Sequence, residues 1–258
     1  MTHRNVGIAF SELAQQEYAA VLRSLKHRKD RHRAVHEARK AIRRLRSVLA
    51  LVGNDVGDQV EPLDDALKRL GDGLSSLRDA HVVIASAEKM KAETHHTLWG
   101  AMVERLTARR DALLDQAMAR DLEFKKRQKR VQTLANALDQ LPWAKVRKRS
   151  VEATLKQSEK RAEKARAKFE HDPKPALLHR WRRNVRRQRM QLQAWHRIVG
   201  AAGHHLHRQA RMLAKRSDAL GCRQDLQVLR SHVRRVAATE EQVHLMADIR
   251  AAMQRAGL

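Results

Sequence analysis

Residues 36–46 of this 258-residue chain, His-Glu-Ala-Arg-Lys-Ala-Ile-Arg-Arg-Leu-Arg, return 143 positions later as residues 179–189, His-Arg-Trp-Arg-Arg-Asn-Val-Arg-Arg-Gln-Arg. The histidine and five basic positions coincide without a gap. A second pairing, Leu74-Ser75-Ser76-Leu77-Arg78-Asp79 with Leu220-Gly221-Cys222-Arg223-Gln224-Asp225, is offset by 146, so three residues of loop length separate the two registers. Ordered repeats at a near-constant offset are the mark of an internal duplication. The expectation is a single domain over residues 1–258, built from two helical repeats, 1–141 and 142–258.

The rest of the sequence is equally one-sided about secondary structure. Val, Ile and Thr are scattered, hairpin dipeptides are absent, and Ala, Leu, Arg, Lys, Gln and Glu dominate, all good helix formers. An all-α fold follows. Leu13, Ala14, Tyr18, Val21, Leu22 and Leu25 fall at three- and four-residue intervals, which predicts a helix over Phe10 to Arg28 with Ser11 as N-cap. Further helices are expected over Arg31 to Val52, ending at Gly53-Asn54; over Val60 to Lys91, broken at Gly71-Asp72-Gly73; and over Thr94 to Ala119 and Leu122 to Leu141. Pro142 closes the first half. The second half reads as Ser150 to Glu170, a stop at Asp172-Pro173-Lys174-Pro175, then Ala176 to Val199 ended by Gly200 and Gly203. His204 to Val236, bent at Gly221, and Glu240 to Ala256 complete it.

At 100° per residue His36, Arg39, Lys40 and Arg43 share one helix face, opposite Val35, Ala38, Ile42, Leu45 and Leu49. In the second copy His179, Arg182, Arg183 and Arg186 take the same face, opposite Leu178, Trp181, Val185 and Leu192, with Gln188 as a polar intruder. Each strip rises about 15 Å, the length of several phosphates. A Lys/Arg run is by itself most often a solvated face. Two features set these apart. Residues 173–217 hold twelve Lys/Arg and no Asp or Glu, whereas an ordinary exposed face mixes both signs. Arginine also predominates, and its planar fork matches phosphate oxygens bidentately. Like charges one turn apart destabilise a helix, so a strip that accepts that cost twice, in register, awaits an anion.

The whole chain leans the same way, with 54 Lys+Arg against 29 Asp+Glu and a net charge of +25. An apolar fraction of 42% rules out a disordered tail. Eight aromatic residues are too few for a platform that stacks successive bases of a single strand. The one cysteine, Cys222, forbids an internal disulfide and suits a reducing compartment. Met1 to Phe10 has no signal-peptide h-region, and the apolar stretch at Val82 to Ala85 is far too short to span a bilayer. A soluble, cytoplasmic protein without membrane contact is expected.

The pattern His-x-x-Arg-x-x-x-Arg-Arg-x-Arg with a downstream Leu-x-x-x-Arg-Asp, followed by the second histidine motif and Leu-Gly-x-x-x-Asp, resembles the CHAD family, the conserved histidine α-helical domain. The match spans essentially the whole chain through four ordered motifs. The resemblance implies two helical bundles related by a pseudo-two-fold axis, with the basic helices lining a central cavity that binds inorganic polyphosphate. It implies no enzyme activity; members are often fused to a triphosphate-hydrolysing tunnel domain, and none fits here. It places phosphate contacts on His36, Arg39, Arg43, Arg44 and Arg46, and on His179, Arg182, Arg186 and Arg189. Lys40, Arg183 and Arg187 join them from spacing, and the following helices contribute Lys68 or Arg69 and Lys215 or Arg216. Asp79 and Asp225 match the family's acidic position and are expected to orient arginines. The sequence departs from the pattern at Ser75, Gln224 and Met190, positions that bear on local packing.

Other chemistries find less support. His204, His205 and His207, with His95 and His96, lack the converging geometry and thiolate pattern of a zinc site, and read as surface or capping residues. Cys222, Trp181 and Trp195 read as packed core. There is no Walker-type glycine loop and no acidic spacing for Mg²⁺, so neither a catalytic residue nor a cofactor is assigned. A helical nucleic-acid-binding protein is the alternative, since +25 binds any nucleic acid at low salt, but no groove-reading motif is present. A role on polyphosphate or storage granules would use the same site.

Overall fold

A computed structural model describes residues 5–255, and among them no strand occurs. The eleven α-helices are α1 (Val6–Lys26), α2 (Arg31–Val56), α3 (Val60–Asp72), α4 (Ser75–Thr94), α5 (Leu98–Arg120), α6 (Lys125–Gln132), α7 (Leu134–Asp139), α8 (Lys148–His171), α9 (Pro175–Val199), α10 (His204–Val236) and α11 (Thr239–Arg255). The all-α expectation holds, and the break between α3 and α4 falls at Gly73 and Leu74, beside the glycine pair that predicts it.

Several boundaries differ from those read off the sequence. The first helix starts at Val6, because Asn5 and not Ser11 is the cap: its side-chain oxygen accepts from Gly7 N at 2.8 Å. Extending the helix backward buries Gly7, Ala9 and Phe10. Gly7 is obligatory there, since a Cβ would lie 1.9 Å from the carbonyl oxygen of Trp143. The second helix runs through Gly53-Asn54 and stops at Gly57, whose φ of 75° is the left-handed conformation glycine adopts at low cost. Val52 and Val56 are both buried, so packing outweighs the low propensity of Gly53. Residues 122–139 form a short 3₁₀ turn and two short helices instead of one. Glu123 and Phe124 take positive φ there, and Phe124 is held by complete burial under the guanidinium groups of Arg31 and Arg127. α10 is unbroken through Gly221. The expected end of the last helix at Ala256 lies outside the described residues.

The chain divides into two compact units, each drawn from both sequence halves: residues 1–74 with 123–217, and residues 75–122 with 218–258. In the first, α1 packs along α2, α8 along α9, and α2 against α9. The apolar faces of the two repeated helices supply its core: Val35, Ala38, Ile42, Leu45 and Leu49 from α2, and Leu178, Trp181, Val185 and Leu192 from α9, are all buried. Trp195 stacks on Phe10 at 6.0 Å between ring centroids, and Trp181 meets Phe169 at 5.6 Å. Both tryptophans are core, as the periodicity predicts. At the contact of the repeated helices, Ser47 Oγ lies 3.8 Å from Met190 Sδ.

In the second unit α4 and α5 pack together and against α11, around Val83, Met90, Trp99, Leu229, Leu245 and Ile249. Cys222 packs against this cluster, the small core residue expected of it. Arg78 lies 3.0 Å from Asp79 and 4.0 Å from Asp225, so the two acids of the repeated motif flank one guanidinium.

Candidate phosphate-binding site

The sixteen basic and histidine positions singled out in the sequence all fall in the first compact unit. Six lie on α2, six on α9, Lys68 and Arg69 on α3, and Lys215 and Arg216 on α10. The helical register explains the split between core and site. α2 starts where the Asp30 side chain accepts from Arg33 N at 2.9 Å, and its buried face fixes the opposite one outward. α9 starts with Pro175 in its first turn, which suits the missing N–H there.

Local partners divide the strip on α2 into three kinds. Arg39 donates through a guanidinium N–H to the carbonyl oxygen of Gly71, at the end of α3. Lys40 Nζ lies 3.2 Å from Glu37, and His36 Nε2 lies 4.0 Å from the same carboxylate. Both contacts are substantially exposed, so they add little stability and yield readily to a stronger anion. Arg44 and Arg46 are different. Arg44 Nε donates at 2.7 Å to Glu17, a buried carboxylate on α1 that also receives Arg197 at 3.3 Å. Arg46 forks onto Asp64 of α3, with Nε and Nη2 at 2.8 and 2.7 Å. That pairing holds the Arg46 guanidinium above its usual pKa, through the hydrogen bonds to Asp64 first, with burial opposing.

On α9 Arg182, Arg186 and Arg189 are half-buried, while His179, Arg183 and Arg187 are exposed. The Arg187 guanidinium pKa is lowered, by desolvation first and then, against the pull of Asp64, by Arg46, Arg183 and Arg161. An arginine so shifted still stays charged. Lys68, Arg69 and Lys215 are exposed, and Arg216 reaches Glu163 of α8 at 3.7 Å.

Four participants escape the repeat analysis: Glu17, Asp64, Arg161 and Arg197. Glu17 had a readable signal, since it occupies the apolar stripe between Leu13 and Val21 at four-residue spacing, where a carboxylate requires a cation. Asp64 on α3 and Arg161 on α8 reach the strips from other helices, which periodicity along one helix does not reveal, and Arg197 lies on α9 beyond the repeated motif. Glu17, Arg44 and Arg197 also line a cavity of about 510 Å³ with His196 and His207, whose rings lie 5.2 Å apart.

The arrangement can bind and orient anions. Among the described residues no group of three or more His, Cys, Asp or Glu could hold a metal ion, and no helix is long and apolar enough to cross a membrane.

Comparison with known proteins bears on the same helices. In the solved structures, the CHAD domain from the plant Ricinus communis superposes with a TM-score of 0.68 at 22% identity, covering 97% of this chain and 85% of its own; at that identity the likeness speaks for the fold. Curated proteins give no match. The family model for the CHAD domain matches residues 9–234, which contain all four ordered motifs and both basic strips. The chain therefore belongs to the CHAD domain family, which is associated with polyphosphate binding and is in general a binding domain.

Proposed function

We propose that this protein binds inorganic polyphosphate through the basic strips of α2 and α9 and catalyses no reaction on it. The observation that carries the reading is that the two basic strips stand on helices that pack against each other, each strip opposite a buried apolar face. Like charges along one helix face repel one another, and a bound phosphate chain relieves that cost while accepting charge-assisted hydrogen bonds from several guanidinium groups. A linear chain with one negative charge per phosphate can follow a strip about 15 Å long and meet two strips together. The reading includes the duplication of the halves 1–141 and 142–258, a cytoplasmic location, and association with polyphosphate or storage granules.

The test is calorimetric titration of polyphosphate into three double alanine variants of the full chain: Arg39 with Arg43, Arg182 with Arg186, and Lys145 with Arg149 as an exposed control. Arg147 is unsuited as a control because it pairs with Asp55. Loss of either strip pair is expected to weaken binding by at least about tenfold, since hydrogen bonds to charged groups contribute about 1.5–3 kcal/mol each. The control pair should cost little. Equal losses across the three variants overturn the site and leave generic basicity, the basis of the nucleic-acid alternative.

A further inference from the structure

We infer that Glu17 and Asp64 are specificity-setting residues: each withdraws one arginine, Arg44 or Arg46, from the ligand strip and so fixes how many charges the protein presents to a polyanion. The inference rests on the polyphosphate reading and amends it, because both arginines stand in the repeated motif. On the helical wheel Arg44 and Arg46 fall on opposite flanks of the α2 strip, about 80° to either side of His36. Each flank meets an acid from a different helix. The Glu17 carboxylate is buried, 2.7 Å from Arg44 and 3.3 Å from Arg197. The Asp64 carboxylate takes Arg46 as a two-pronged fork at 2.7 and 2.8 Å.

A ligand phosphate would have to displace these carboxylates to recruit the two arginines. At Glu17 that would strand a buried negative charge, so the exchange is unfavourable. Lys40 shows the contrast within the same helix: its partner Glu37 is exposed and one turn away, a contact that yields readily. The acids thus trim the edges of the strip, narrowing it to a width that suits a single phosphate chain. A wider cationic face would favour the broader backbone of a duplex.

Salt dependence reads this directly, because the slope of log affinity against log salt counts the cations that replace counterions on a polyanion. Affinities for polyphosphate and for duplex DNA of equal phosphate content are measured on the full chain between about 50 and about 300 mM KCl, a span over which several phosphate contacts change affinity by orders of magnitude. Arg44→Gln and Arg46→Gln are expected to leave the slope unchanged, whereas Arg183→Ala and Arg187→Ala each lower it by about one. Asp64→Asn should steepen the slope by about one, by releasing Arg46, and Glu17→Gln by about one to two, by releasing Arg44 with Arg197, and both should strengthen duplex binding several-fold. Asp64 is the more exposed acid, so its variant keeps the test open if Glu17→Gln does not fold.

A slope that falls by about one in Arg44→Gln or Arg46→Gln overturns the inference, as does an unchanged slope in Asp64→Asn. If the wild-type protein prefers duplex DNA to polyphosphate, the functional reading fails, while the DNA slopes of the same variants still decide the role of the two acids.

Discussion

Ser47 Oγ touches Met190 Sδ at 3.8 Å, and the two residues stand 143 positions apart, the spacing that separates His36 from His179. Both are buried, and Ser47 Oγ also lies 2.8 Å from the carbonyl oxygen of Arg43, so the hydroxyl does not depend on the sulfur. Met190→Ala is expected to destabilise the fold by about 2–4 kcal/mol, because it opens a cavity where α2 meets α9. Ser47→Ala should cost less than about 1 kcal/mol. Urea unfolding of the two variants checks the pair, and a Met190→Ala cost near zero would remove the contact from the core.

Glu17 is expected to matter for stability as well as for ligand choice. Its removal leaves Arg44 and Arg197 facing each other with no carboxylate between them. Glu17→Ala should cost about 1–3 kcal/mol, below the range for a fully buried ion pair, because both arginines keep contact with water. Glu17→Asp shortens the reach to both partners and should recover part of the loss. Chemical unfolding of the three proteins measures it.

The class of fold was legible because helix formers and three- and four-residue spacing agree along the whole chain, and the faces of α2 and α9 divided into core and strip as the wheel places them. The helix ends were less so. Asn5, Gly53 and Gly57 show why: which cap or glycine acts as a boundary depends on whether the turn beyond it has something to bury, here Phe10 and Val56. The repeat pointed to Arg44 and Arg46 as equals of Arg39 and Arg43. It could not show that Glu17 and Asp64, on other helices, reach them.

Acid should weaken a contact in the second unit. Glu241 accepts from both outer nitrogens of Arg105 at 2.8 and 2.6 Å and from Ala238 N at 3.0 Å. Those hydrogen bonds, Arg105 first, hold its carboxyl below the usual glutamate range. A depressed folded-state pKa contributes stability that is present above the unfolded value, about 4.3, and is lost as pH falls through the lower folded value. The thermal midpoint of Glu241→Gln should therefore lie below wild type at neutral pH, and the gap should close as pH falls below the unfolded value and through the lower folded one. A gap independent of pH would show that the side chain acts through packing and not through its charge.

Polyphosphate should also outcompete duplex DNA of equal phosphate content at about 150 mM salt, where the Debye length is about 8 Å. Packed helices lie about 8–10 Å apart, so a thin chain between two strips stays within screening distance of both. A duplex resting on one strip leaves most of its phosphates farther than that from the other, and its attraction fades with added salt. The strips are carried by α2 and α9, which pack against each other, so a single chain can reach cations of both. Displacement of labelled polyphosphate should thus need at least about tenfold more duplex than unlabelled polyphosphate, a margin of about 1.4 kcal/mol. Double alanine variants at Arg182 and Arg186, or at Arg39 and Arg43, should narrow the margin from either side, because each leaves one strip, and one strip treats both polyanions alike. Equal displacement by the two competitors on the wild-type protein would mean that net charge governs binding and that the pairing of α2 with α9 adds nothing to it.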